Sequence, residues 1–368
     1  MKNLRAGLAI GTALTAIIAL SSCASNEPGP GAGGGDSSSG AAQSLSGTIN
    51  GVGSSAQSNA QTAWTKGFQT TNPSVTVNYD PQGSGAGRTA FISGGADFAG
   101  SDSALKPEEL SQAFADCKPD TKGIDIPVYV SPVALVYNLD GVDTLNLDAD
   151  TLAKIFSGKI TKWNDSAITK LNADAKLPST DITPVYRSDS SGTTTNFTDY
   201  LHAAAPSVWT KDPADAFPYK TGEGAAKGSG VVAAVKAGKG SIGYVDNSSA
   251  GDLTVAGVKV GSDYVKPSAE VASAAAEAAT VDTSREKNDT VVKINRTTTD
   301  PKQYPITLVS YLIACQSYKD SAKGALVGAY AKYIASDAGQ QAAATTAKSA
   351  PLTGTIAKDA QAAAATIK

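Results

Sequence analysis

Three times in this chain a short run of β-forming residues ends in a Gly/Ser-rich turn and passes directly into a helical pattern. Gly47 to Val52 runs into Gly53-Ser54-Ser55-Ala56, then a helix with Ala60, Trp64 and Phe68 turned to a core. Val75 to Tyr79 leads to Gly83-Ser84-Gly85-Ala86-Gly87 and a short helix with Phe91 and Ile92. Ile182 to Tyr186 leads into Arg187-Ser188-Asp189-Ser190-Ser191-Gly192-Thr193, followed by Phe197, Tyr200, Leu201 and Ala204 at i, i+3, i+4 and i+7. Strands alternating with helices argue for an α/β fold. In open α/β sheets, ligands gather at the carboxyl ends of strands, where helix N-termini expose unpaired amides and a partial positive charge. Glycine lets the backbone approach a ligand, serine and threonine add hydroxyl donors, and arginine adds a charged planar fork. Together these suit a tetrahedral oxyanion. Singly, Ser54 or Ser84 reads as a plain helix N-cap; the recurrence is what points to an anion site.

Other segments narrow the chemistry. Asp97 to Asp102 reads as a short strand ending on a carboxylate, ahead of a helix near Pro107. Pro127 to Leu139 is a long β-rich run. Gly222 to Gly230 is glycine-rich but lacks P-loop spacing, and is expected to be a loop before a helix over Val231 to Ala237. No Gly-x-Ser-x-Gly elbow follows a strand. The single histidine, His202, is expected on a helix surface, which leaves a serine nucleophile without a base. There is no Cys-x-x-Cys and no metal-binding cluster, so neither a metal nor a cofactor is expected. Trp64, Phe68 and Trp163 read as structural. With a net charge of −3 and scattered Lys and Arg, nucleic acid is not an expected partner.

The N-terminus reads as a targeting segment. Lys2 and Arg5 precede an apolar run from Leu8 to Leu20, and Leu20-Ser21-Ser22-Cys23 has the form of a lipobox. Residues 1–22 are thus expected to be a signal peptide. Residues 23–44 would be a lipidated Cys23 with a flexible Gly/Ser tether, holding the protein to the outer face of a membrane. The remaining cysteines, Cys117 and Cys315, are either one disulfide or two separate buried thiols. The rest of the chain is long enough for two domains.

In these residues the chain resembles the PstS family of phosphate-binding proteins of bacterial Pst uptake systems. The resemblance runs from about Leu45 to Leu352. It rests on Gly51-Val52-Gly53-Ser54-Ser55, on Asn78-Tyr79 with Gly83 to Gly87, and on Asp97 to Asp102, similar to the family's DFGASD. Gly158 to Asp165 is similar to its GKIKKWDD, Arg187 to Thr193 to its RADGSGT, and Ser241 to Val245 to its AIGYV. Pro305-Ile306-Thr307 marks the return to the first domain. The resemblance implies a two-lobed α/β binding-protein fold, each lobe a mixed sheet flanked by helices, with two crossovers between lobes. Lobe I would be residues 45–138 plus 303–368, and lobe II residues 139–302. Phosphate would lie between them, held by Ser55, Ala56 (through its amide), Ser84, Asp102, Arg187, Ser191, Gly192 and Thr193, with Asp189 pairing the arginine. Two departures stand out: Ala56 replaces a phenylalanine, and Ser190 replaces a glycine.

The resemblance further implies a monomeric, non-enzymatic receptor that delivers inorganic phosphate to the permease and ATPase subunits of an ABC importer. Asp102 would be the discriminator. An ionised carboxylate only accepts hydrogen bonds. Mono- and dibasic phosphate have a proton to offer it, and sulfate at neutral pH has none. The alternatives are an extracellular phosphatase-like enzyme, a binding protein for another tetrahedral oxyanion, and an added surface adhesin role.

Overall fold

The computed structural model describes residues 45–368. The expected signal peptide, Cys23 and the tether lie outside the described residues. Among the described residues no helix is long and apolar enough to cross a membrane.

The first elements are β1 (Gly47–Gly53), α1 (Ser58–Thr71), β2 (Val75–Asp80), α2 (Ser84–Ser93), β3 (Phe98–Ser101) and β4 (Gly123–Asn138). Then follow α3 (Ala149–Phe156), β5 (Thr183–Arg187), α4 (Gly192–Ala204), β6 (Glu223–Ala225), α5 (Lys227–Ala237), β7 (Ser241–Asp246) and α6 (Ala269–Glu277). The chain closes with β8 (Thr307–Cys315), α7 (Ser321–Ala335), α8 (Asp337–Ala347) and α9 (Gly354–Ala365). The main strands form one mixed sheet in the order β2-β1-β3-β8-β4-β7-β5-β6.

The sheet has two halves, which give the molecule its two lobes. β1 runs parallel to β2 and β3, and β8 runs antiparallel to β3 and β4. In the other half β5 runs parallel to β6 and β7. β4 belongs to both. Residues from Gly123 to Pro132 pair with β8, and residues from Val133 to Asn138 pair with β7. Its change of partner falls at Pro132, which has no amide hydrogen for a ladder. The strand is buried along almost its whole length, Asp125 and Ser131 included. It starts at Gly123, earlier than the expected Pro127, because Gly123 to Ile126 pair with the end of β8.

Helix α1 forms where expected, burying Ala60, Gln61, Trp64 and Phe68. Trp64 is fully buried and donates to Gly339 O at 2.8 Å. Trp163 is fully buried too and donates to Gly240 O at 3.0 Å. The glycine-rich segment Gly222 to Gly230 is not the loop its composition suggests. Glu223 to Ala225 pair with β5, and α5 begins at Lys227, which adopts a positive φ of 62° to turn the corner. Strand pairing and packing against Val245 and Ser55 override the low helix propensity of Gly228. Cys117 and Cys315 are joined by a disulfide.

Candidate functional site

All three Gly/Ser turns meet at the boundary between the lobes. From one lobe come the β1–α1 turn, the β2–α2 turn and the end of β3. From the other come the β5–α4 turn and the start of α5. Gly85 N donates to Ser190 O at 3.2 Å, and Gly228 N donates to Ser55 Oγ at 3.2 Å. The approach at Gly192 leaves no room for a side chain: a Cβ there would lie 2.8 Å from the Asp102 backbone and side chain.

Asp102 sits just past β3 and is 3% exposed. Thr193 Oγ1 donates to its Oδ2 at 3.0 Å, and Ser310 Oγ donates to its Oδ1 at 2.7 Å. Its backbone carbonyl accepts from Asn196 Nδ2 at 2.7 Å. A cavity of about 530 Å³ reaches it from the side of residues 291–297.

Arg187, at the end of β5, is 3% exposed. Its Nε donates to Asp189 Oδ1 at 2.7 Å and one terminal nitrogen donates to Oδ2 at 2.5 Å. The other terminal nitrogen, Nη1, donates to no protein group among the described residues. Burial works to raise the Asp189 carboxyl, but the hydrogen bonds and charge of Arg187 outweigh it and hold that carboxyl below its usual range. Asp189 also accepts from Lys227 N at 2.9 Å, which ties the start of α5 to the same turn.

The serine hydroxyls share one geometry. Ser55 Oγ accepts from Gly228 N, Ser84 Oγ accepts from Asp102 N at 3.1 Å, and Ser191 Oγ accepts from Thr194 N at 3.3 Å. All three are buried, and none donates to a protein acceptor among the described residues. Ser84 is therefore not the N-cap it resembles when read alone; Gly83 occupies that position, and Ser84 reaches across to β3. Ser191 is the N-cap of α4. Ala56 keeps its amide within its own turn, donating to Ser54 Oγ at 3.0 Å.

Several site residues escape sequence reasoning. Tyr244, from β7, accepts from Arg187 N at 3.2 Å and lies 2.8 Å from Thr194 Oγ1. Asp215 closes the back of the site. Its carbonyl accepts from Ser191 N at 3.0 Å, and its carboxylate accepts from Thr195 Oγ1 at 2.5 Å. The same carboxylate forms a buried ion pair with Arg88 of α2, from the opposite lobe. Ser310 and Gln57 carried a signal that could have been read: a hydroxyl inside the largely apolar run Thr307 to Cys315, and an amide at the N-cap of α1, three residues ahead of the core-facing Ala60. His202 is half-buried, within 3.1 Å of Lys211 O. Among the described residues no cluster of side chains could hold a metal ion.

Over residues 38–338 the sequence matches the family described as a PBP superfamily domain. It is 38% identical over 338 residues to the phosphate-binding protein PstS 3 of Mycobacterium tuberculosis, covering 90% of each chain. It is 35% identical over 344 residues to PstS 2 of the same organism, again covering 90% of each chain. Among solved structures it is similar to the high-affinity periplasmic phosphate-binding protein PfluDING, solved bound with phosphate. The TM-score is 0.72 and the identity 27%, over 86% of this chain and 93% of that one. With the fold and the coverage of these matches, the chain belongs to the PBP superfamily and, within it, to the PstS family of phosphate-binding proteins.

Proposed function

We propose that this protein is an extracytoplasmic receptor for inorganic phosphate, tethered through a lipidated Cys23, that hands its ligand to the permease of an ABC importer. Residues 45–138 with 303–368 and residues 139–302 act as the two jaws. One observation carries the reading. Each of Ser55, Ser84 and Ser191 has its oxygen engaged by a backbone amide, and its hydrogen has no protein acceptor among the described residues. A hydroxyl held in that way is a donor aimed at an anion. Arg187 Nη1 and the amides of Gly192 and Thr193, at the N-terminus of α4, add to the donor set. Ala56 is left out of this donor set, because its one amide hydrogen is taken by Ser54 Oγ.

Asp102 is the exception among these donors, and it sets the selectivity. Its carboxylate only accepts, so it favours an anion that brings a proton. Thr193 Oγ1 and a phosphate hydroxyl are both served by Oδ2, which has two lone pairs. Sulfate at neutral pH would face Asp102 oxygen to oxygen, a buried mismatch of a type that rejects analogues by about 10⁴–10⁵. No covalent step is required of the protein.

The test is isothermal titration of wild type and Asp102→Asn with phosphate and sulfate. The variant's amide donates where the carboxylate accepted, so sulfate affinity rises by about 10- to 100-fold, the effect of one hydrogen bond to a charged group. Phosphate affinity falls. Sulfate rejection that is as strong in the variant as in wild type would remove Asp102 from its assigned role.

A further inference from the structure

Asp102 can read a ligand's proton only if one of its oxygens is held as an acceptor towards the ligand. A chain of buried hydrogen bonds with a single permitted direction ends on its other oxygen. The chain is readable because carbonyl oxygens cannot donate. Gln57 has one amide atom 3.0 Å from Tyr311 O and 2.7 Å from Ser310 Oγ. The atom facing a carbonyl must be the nitrogen, so Gln57 Nε2 uses one hydrogen on Tyr311 O and the other on Ser310 Oγ. Ser310 Oγ is therefore an acceptor towards Gln57, and its single hydrogen is left for Asp102 Oδ1 at 2.7 Å. Upstream, Gln61 Nε2 donates to Gln57 Oε1 at 2.9 Å, and Tyr330 OH donates to Gln61 Oε1 at 2.8 Å. Gln57, Gln61, Ser310 and Tyr330 are all buried, none more than 1% exposed.

The sheet is built to allow this. The register of β8 on β4 slips between Ser310 and Tyr311, skipping Val128. Such irregularities re-aim side chains. Pro127, opposite Tyr311, has no amide hydrogen to give, and the Tyr311 carbonyl accepts from Gln57 instead. Gly100 leaves the space: a Cβ there would lie 2.6 Å from Gln57 Oε1.

We propose that Ser310 is the positioning residue for anion selection, its hydroxyl directed by Gln57 onto Asp102 Oδ1 so that Oδ2 is presented as the acceptor for the ligand's proton. The proposal rests on the phosphate-receptor reading above and names what orients its discriminating carboxylate. Ser310 touches no ligand; it acts through Asp102.

The experiment measures the phosphate and sulfate dissociation constants of purified protein by titration calorimetry at one pH. In Ser310→Ala the ratio of the two falls by about tenfold, because the carboxylate loses a charge-assisted donor and its fixed orientation. Ser310→Thr keeps the hydroxyl and restores the ratio to within about threefold of wild type, which a loss of packing would not predict. In Asp102→Asn the Ser310 donor selects the amide orientation that turns the nitrogen towards the ligand. Adding Ser310→Ala to that variant abolishes the gain in sulfate affinity. If Ser310→Ala does not fold, Gln57→Met carries the same test, since it frees the Ser310 hydroxyl to turn away and lowers the ratio in the same direction. Wild type that binds no phosphate overturns the receptor reading and this proposal together. Wild type that binds phosphate, with a folded Ser310→Ala or Gln57→Met that keeps its ratio, overturns this proposal alone.

Discussion

Arg187 is held as a fork with two of its nitrogens spent on Asp189 and Nη1 left over. Asp189 fixes the plane of the guanidinium, and the Tyr244 hydroxyl fixes the backbone beneath it. A lysine at this place has one ammonium on a flexible stem and cannot both pair with Asp189 and present a planar donor edge. Arg187→Lys is therefore expected to weaken phosphate binding by about 10- to 100-fold while keeping the fold. Titration calorimetry beside a thermal melt checks this; an affinity within twofold of wild type would mean the guanidinium geometry is not used.

Helices and strands are legible here because each has a period. The stripe of α1 and the β-rich run of β4 follow from residue type and spacing, and the structure forms both. Segment Gly222 to Gly230 failed because glycine content reports local flexibility, whereas the pairing with β5 is a long-range contact. The disulfide is also an element-scale feature. Cys117 lies ahead of β4 and Cys315 ends β8, so the bond staples the chain beside the two longest paired strands. The sequence separation is 198 residues. On the chain-entropy account, closing a loop of that size stabilises by up to roughly 5 kcal/mol. Replacing both cysteines by alanine should cost about 2–5 kcal/mol in denaturant titrations. A reducing agent should lower the wild-type midpoint and leave the double variant unmoved.

Across the whole molecule, the lobes are joined by more than β4. Arg88 and Asp215 pair through the boundary, with side chains 1% and 6% exposed, and Lys106 reaches the same carboxylate at 3.1 Å. Burial opposes ionisation of Asp215, but the Arg88 charge and the bonds from Thr195, Arg88 and Lys106 bring its carboxyl down to about 2. Asp246, at the end of β7 beside the β4 crossover, behaves in the opposite way. Burial pushes its carboxyl up to about 6, even though the Ser248 hydroxyl and amide pull against the shift. The signs differ accordingly. Asp215 adds stability that is present above about pH 4 and is lost as pH falls towards 2. Asp246 adds stability below about pH 4 that is lost as pH rises through 6, roughly 3 kcal/mol in full. Asp246→Asn should flatten the fall in unfolding free energy between pH 4 and 7, measured by urea titration. A variant whose pH slope equals that of wild type in this interval would show that Asp246 is not the titrating group.

What the sequence determined alone is local. The hydroxyls, glycines and arginine of the three turns, the carboxylate at the end of β3 and the order of strands and helices depend on neighbours in the chain, and composition and period report them. Tertiary structure decided which lone pairs and hydrogens were already taken. Ser84 is drawn off its helix cap by the Asp102 amide, Asp102 is aimed by Ser310 from 208 residues away, and Arg88 meets Asp215 across 127 residues. Hydrogen bonding saturates at each atom. Whether a serine is a cap, a relay or a donor to an anion thus depends on what folding brings within about 3 Å of it.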